Sequence, residues 1–248
     1  MDQEGLRHLA EQIRRSVNCV VLTGAGISAE SGVPTFRGEE GLWRKFRAEE
    51  LATMEAFVAN SRLVWEWYNW RRDLIKNVKP NAGHFALTEL EKLCEHFVLI
   101  TQNVDGLHRS AETETILELH GNIHHNKCVE CDRPYTGTAE IDPDNIPACI
   151  LCGGRIRPDV VWFGEMLNPK LIDRAFLESE RADVFLVVGT SAVVHPAASL
   201  PQTAKRHGAT VVEVNIEETP LSPLADYRFA ASAGEFLPEL VRQIKENG

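Results

Sequence analysis

Four cysteines fall in two tight pairs, Cys128-x-x-Cys131 and Cys149-x-x-Cys152, with residues 132–148 between them. A Cys-x-x-Cys turn carries two sulfurs to one side, and two such knuckles complete a tetrahedron. This spacing matches a four-thiolate zinc ribbon. Four thiolates close the coordination shell and leave no position for water, so the expected zinc is structural and not catalytic. A disulfide framework goes with a secretory signal, and the N-terminal Met1-Asp2-Gln3-Glu4 is acidic with no apolar core behind it. Cys19, inside an apolar run, and Cys94, at the end of a helical pattern, read as small buried apolar residues.

A second group of residues reads as a nucleotide site. Gly24-Ala25-Gly26-Ile27-Ser28 follows the apolar run Cys19-Val20-Val21-Leu22, and glycines placed there let backbone N–H groups approach a phosphate. Ala29 stands where a dinucleotide fingerprint has its third glycine. No acidic residue closes a second strand about 20 residues further on, so the turn is not that of a hydride-transfer enzyme. Gln102-Asn103-Val104-Asp105 sets three hydrogen-bonding side chains directly after the apolar stretch 97–101, more than a helix cap needs. His120, beside Gly121, ends another apolar stretch and suits general-base work near neutral pH; His124 and His125 compete with it. Gly189-Thr190-Ser191 is a second small-residue turn fit for phosphate, and Asn215 closes the stretch 211–214.

A third pattern lies on the predicted helix 62–76. At about 100° per residue, Leu63, Val64, Trp67, Tyr68, Leu74 and Ile75 share one side, and Arg62, Glu66, Asn69, Asp73 and Lys76 the other. Arg71 lands in the middle of the apolar side; Arg72 lands at the polar border and needs no special explanation. An inward-facing charge is costly unless paired, so Arg71 must meet either an acidic residue or the carboxylate of a ligand. Tyr68, three residues earlier on the same face, is placed to join it on one anion.

The elements that must position these groups alternate. Strands read at 19–22, 97–100, 116–119, 185–188 and 211–214. Helical patterns lie at about 83–94, 169–181 and 196–207, and a last helix carries Phe236, Leu237, Leu240, Val241 and Ile244. Such alternation implies an α/β fold: a Rossmann-like parallel sheet with helices on both faces, its ligands outside the carboxyl ends of the strands. Residues 38–78, helical and rich in tryptophan, and 122–158, with the cysteine pairs, break the alternation. We expect them to form a small domain, a helical insert with a zinc ribbon, leaving 1–37, 79–121 and 159–248 for the nucleotide-binding domain.

The chain has 248 residues, 44% hydrophobic and 25% charged, an ordinary balance for a globular protein. Its formal net charge of −10 argues against nucleic acid or an anionic membrane surface as a direct partner. No apolar run approaches the roughly 18 residues of a membrane helix. A cytoplasmic protein is the expectation.

Taken in order, Gly24-Ala25-Gly26-Ile27-Ser28, Val33-Pro34-Thr35-Phe36-Arg37, Thr101-Gln102-Asn103-Val104-Asp105, His120-Gly121, the two cysteine pairs and Gly189-Thr190-Ser191 resemble the sirtuin family of NAD-dependent protein deacylases, over about residues 6–245. Many sirtuins carry Asp where Thr35 stands; the succinyl- and malonyl-removing branch is similar to this chain there and in its Tyr68-x-x-Arg71 pair. The resemblance implies NAD as co-substrate, with Gly24, Ala25, Gly26, Gly189, Thr190 and Ser191 around its phosphates. It places Arg37 on the pyrophosphate side, Phe36 over the reacting ribose and Gln102 against that ribose. Asn103 and Asp105 would line the nicotinamide pocket, Asn215 would hold the adenosine ribose, and His120 would be the general base. Val160, Val161, Trp162 and Phe163 would pair with the backbone of an acylated lysine segment of another protein. The implied reaction removes succinyl, malonyl and also acetyl groups from lysine and gives nicotinamide and O-acyl-ADP-ribose. The alternatives are a mono-ADP-ribosyltransferase or NAD glycohydrolase using the same site, and a non-enzymatic NAD-sensing zinc-ribbon adaptor.

Overall fold

The computed structural model describes residues 2–34 and 48–246. Helix α1 (Gln3–Arg15) buries Leu6, Leu9, Ala10 and Ile13 on one stripe, and Asp2 caps it by accepting from the Gly5 N–H. It feeds strand β1 (Asn18–Thr23), followed by the short α2 (Ala25–Ala29). A helical segment then holds α3 (Ala48–Leu51), α4 (Met54–Ala59) and α5 (Ser61–Ile75). Alternation resumes with α6 (Ala82–Leu93), β2 (His96–Thr101), α7 (Leu107–Ser110) and β3 (Ile116–Glu118). The antiparallel pair β4 (Gly121–Cys128) and β5 (Ile156–Val160) forms the stem of the cysteine segment. The chain closes with α8 (Pro169–Arg181), β6 (Val184–Val188), α9 (Leu200–Arg206), β7 (Thr210–Val214), β8 (Tyr227–Phe229) and α10 (Ala233–Glu246).

The main sheet has the order β3-β2-β1-β6-β7-β8, and every pairing in it is parallel. Strands buried on both faces are apolar at successive positions: in β1, Cys19 and Val21 join the core under α1, α6 and α10, while Val20 and Leu22 join the core under α8 and α9. Strand order reverses between β1 and β6, which opens a crevice at their carboxyl ends. The three-residue β8 was not foreseen; its run is too short to show a period. The helix expected at 196–207 divides into a short 3-10 turn at 197–199 and α9.

A third core joins α4, α5, β4 and β5, with Phe57, Trp65, Tyr68 and Trp162 at its centre and Cys128 and Cys149 at its edge. The cysteine ribbon and α5 therefore share one apolar core. Trp65 Nε1 donates to the Ile156 carbonyl at 3.1 Å and Asn69 Nδ2 to the Ile141 carbonyl at 2.7 Å. Among the described residues, no helix is long and apolar enough to cross a membrane.

Candidate active site

The turns after β1 and β6 are sewn together at the crevice. Gly24 N–H donates to the Val188 carbonyl at 3.1 Å and Gly26 N–H to the Gly189 carbonyl at 2.8 Å. A Cβ on Gly24 would lie 2.8 Å from the Gly189 oxygen, and one on Gly26 2.7 Å from the Gly189 Cα. These glycines are thus required by the approach of two backbones, whatever a phosphate adds. Gly189 itself has φ +59°. Around this seam, Gln102 Nε2 donates to Thr190 Oγ1 at 3.0 Å and Asn215 Nδ2 to the Thr190 carbonyl at 3.1 Å. Ala25 and Ser191 lie beside it on the two turns. The ends of β1, β2, β6 and β7 so converge on one crevice, as the sequence implied.

Asn103 is almost fully buried, and both hydrogens of its amide are spent: Nδ2 donates to the Gly24 carbonyl and to Ser28 Oγ, each at 3.1 Å. Asp105 accepts from the Leu107 N–H at 2.9 Å. Burial raises the pKa of its carboxyl, while the Leu107 N–H, the Ser28 hydroxyl, His124 and Arg71 oppose the rise. His124 Nε2 lies 3.0 Å from the Asp105 carbonyl oxygen, which gives that ring a structural contact.

His120 sits at the end of β3, its Nδ1 2.9 Å from the Gln102 carbonyl. A carbonyl only accepts, so the ring proton is on Nδ1 and Nε2 carries the lone pair. Burial lowers the pKa of His120 below the ordinary imidazole value, against the raising effect of that carbonyl bond. The ring is therefore neutral at pH 7 and presents a base.

A cavity lies between α5 and the residues that follow β1 and β2. Ala25, Ser28, Asn103, Asp105, Trp70 and Arg71 are on its wall, with Leu74 and Ile75 further along the helix. Arg71 thus faces the same space as the residues after β2, as its place on the helix required. Its guanidinium stands 4.9 Å over the Trp67 ring and 5.7 Å over Tyr68. Burial lowers its pKa, opposed by Tyr68 and Asp105; the guanidinium stays charged. Tyr68 is fully buried behind the wall, and its hydroxyl oxygen accepts from Trp162 Nε1 at 2.9 Å.

Arg72 departs from the reading of it as a border residue. It is 8% exposed and donates to the Ile123, Ala139 and His125 carbonyls and to Asn126 Oδ1. Burial brings its pKa down to about 10. The cause is tertiary: the ribbon covers the flank of α5 that a lone helix would leave to water. The stretch Val160, Val161, Trp162, Phe163 is also less open than an unpaired strand edge. Val161 N–H donates to the His120 carbonyl, Trp162 N–H to Glu165 and Phe163 N–H to the Ala52 carbonyl, at 2.9, 2.8 and 2.9 Å. Two of its carbonyls are engaged as well: that of Val160 accepts from Arg157 at 2.8 Å and that of Trp162 from the Glu165 N–H at 3.0 Å.

The four cysteine Sγ atoms lie within 4.8 Å of one another, the one such metal-type cluster among the described residues. Cys128–Cys152 is 3.4 Å, Cys131–Cys152 3.5 Å and Cys131–Cys149 3.8 Å. A tetrahedral zinc with bonds of about 2.3 Å to sulfur needs edges of about 3.8 Å, so the four residues fit that ion. Phe36 and Arg37 lie outside the described residues. Sequence reasoning missed the buried histidines His84 and His108, whose rings are 4.8 Å apart behind Asn103, and the Trp162 N–H on Tyr68. Neither carries a local signal, because each depends on segments distant in sequence.

A parallel sheet with glycine turns at its switch point, a neutral histidine at a strand end and a four-cysteine ribbon define a recognisable class. The model of the Sir2 family matches residues 24–196, and the chain belongs to that family. It is 53% identical over 232 residues to a protein of Aquifex aeolicus named NAD-dependent protein deacylase, covering 93% of this chain and 97% of that one. A protein of the same name from Pyrococcus abyssi is 50% identical over 242 residues, with coverage of 96% and 97%. A solved Sir2 homologue–NAD complex superposes with a TM-score of 0.90 at 48% identity, covering 97% of this chain and 94% of that one.

Proposed function

We propose that this chain is an NAD-dependent protein-lysine deacylase that removes succinyl and malonyl groups in addition to acetyl groups. The single observation that carries the acyl assignment is the placement of Arg71 on the same cavity wall as Asn103 and Asp105. A cation at that depth gives the distal carboxylate of a succinyl chain a charged partner that an acetyl group cannot use. Tyr68 lies behind this wall with its oxygen accepting from Trp162 Nε1, so in this reading its ring supports the guanidinium.

NAD would supply an anomeric carbon that takes the acyl oxygen in exchange for nicotinamide, and a ribose hydroxyl that takes up the acyl carbon, with one water entering as the lysine amine leaves. In this reading His120 Nε2 accepts the proton of that hydroxyl. Gln102 and Thr190 border the ribose, the turns at Gly24–Gly26 and Gly189–Ser191 face the phosphates, and Asn215 faces the adenosine ribose. Phe36 and Arg37 retain their roles over the ribose and pyrophosphate as part of the proposal. The zinc holds the ribbon and, through the shared core, the face of α5 that carries Arg71. The division into 1–37, 79–121 and 159–248 against 38–78 and 122–158 belongs to the same reading.

The test is a panel of acetyl-, malonyl- and succinyl-lysine peptides incubated with NAD, with products identified by mass spectrometry. Deacylated peptide and O-acyl-ADP-ribose are expected, with kcat/KM higher for the carboxylated groups. ADP-ribose attached to protein, or activity on acetyl-lysine alone, contradicts the proposal.

A further inference from the structure

A buried chain of side chains runs behind Asn103 and takes no part in the steps above. His108, on α7, is 2% exposed, and its Nε2 lies 3.0 Å from Thr23 Oγ1 at the end of β1. Thr23, fully buried, donates to Thr101 Oγ1 at the end of β2 at 2.8 Å. Thr101 Oγ1 accepts the backbone N–H of Asn103 at 3.1 Å.

The direction of the chain follows from valence. Thr23 has one hydroxyl proton and spends it on Thr101, so His108 must be the donor to Thr23, with its proton on Nε2. Nδ1 then carries the lone pair, and it is the buried ring nitrogen without a partner among the described residues. Burial first, and the adjacent His84 second, hold the pKa of His108 well below the ordinary value, so the ring is neutral and has a single proton to give. Asn103 is also gripped at its side chain. Its Nδ2 hydrogens go to the Gly24 carbonyl and Ser28 Oγ, which leaves Oδ1, an acceptor suited to the N–H of a ligand carboxamide, as the group it can offer the cavity.

We propose that His108 is a positioning residue: its Nε2–H, acting through Thr23 and Thr101, holds the Asn103 backbone so that Oδ1 stays turned to the carboxamide of NAD. This rests on the reading of the cavity as the NAD site.

The experiment measures KM for NAD, kcat, nicotinamide inhibition and melting temperature for His108→Leu, His108→Gln and Thr101→Val. Leu keeps bulk without a donor, Gln restores an N–H near the place of Nε2, and Val keeps the shape of Thr without its oxygen. His108→Leu and Thr101→Val should raise KM for NAD and weaken nicotinamide inhibition about three- to tenfold, the size of one lost hydrogen bond, with kcat changed by less than about twofold. His108→Gln should lie close to wild type. His108→Gln as impaired as His108→Leu, or Thr101→Val at wild-type KM, overturns the proposal. Thr101→Val decides the matter if His108→Leu fails to fold. If wild type binds neither NAD nor nicotinamide, the NAD reading falls and this proposal with it. If wild type binds both and His108→Leu binds them equally well, only the positioning role falls.

Discussion

Replacing Arg71 with Met separates recognition of the acyl carboxylate from the rest of the chemistry. The guanidinium is on the cavity wall, stacked on Trp67 and Tyr68, with the Asp105 carboxylate on the same wall. A charge-assisted contact to a ligand carboxylate contributes roughly 1.5–3 kcal/mol, or about 10- to 150-fold in kcat/KM. Asp105 shares the cation and repels a second carboxylate, so the effect belongs at the lower end, about 10- to 30-fold. Met keeps the length of the stem and its packing on the two rings, which limits any loss of fold. The assay is kcat/KM for matched succinyl- and acetyl-lysine peptides at saturating NAD, with melting temperature as a control. The succinyl-to-acetyl ratio should fall by that factor, and the acetyl value should change much less. Equal losses on both peptides would refute the reasoning, because Arg71 would then act on the fold or on Asp105.

Three further outcomes follow from the geometry. Removing the metal with a chelator, or making Cys149→Ser, should lower the melting temperature and abolish activity together, because the ribbon and α5 share a core; unchanged melting of metal-free protein would contradict a structural ion. His120 works as a base only when unprotonated, and burial lowers its pKa. The acid limb of kcat/KM should therefore rise with pH through a midpoint below about 6.5, and a midpoint above that value would argue against His120 as the base. His84 is fully buried and its pKa is pushed down to about 4. Its folded-state value lies below the unfolded one, so its contribution is complete above pH ~6.5 and is lost as the pH falls toward 4, about 3 kcal/mol in all. His84→Gln should flatten that part of a melting-temperature profile; an unaltered slope would count against a neutral buried ring.

What the sequence carried was whatever depends on short spacing. The cysteine quartet needed only two turns and a count, and the strand-end motifs needed only an apolar run followed by polar groups. The inward position of Arg71 followed from its phase on one helix. What it could not carry is long-range packing. Arg72 was misplaced because the ribbon that covers it comes from residues 123–139, 51 to 67 positions away in sequence. Gly24 and Gly26 were read for phosphate, whereas contact with Gly189 alone already demands them. Thr23, Thr101 and His108 look unremarkable in sequence, and become a chain only because β1 and β2 pair in register with Thr23 beside Thr101.

The central claim is transfer of an acyl group from lysine to ADP-ribose with His120 as base. It is tested most directly by following a succinyl-lysine peptide and NAD with wild type and His120→Ala, counting products by mass spectrometry. Wild type should yield one nicotinamide, one deacylated peptide and one O-succinyl-ADP-ribose for each NAD consumed. His120→Ala should bind NAD and keep its native circular dichroism, yet turn over about 10²–10⁴ times more slowly. Free ADP-ribose with the peptide still succinylated, ADP-ribose attached to the peptide, or normal turnover in His120→Ala would contradict the account.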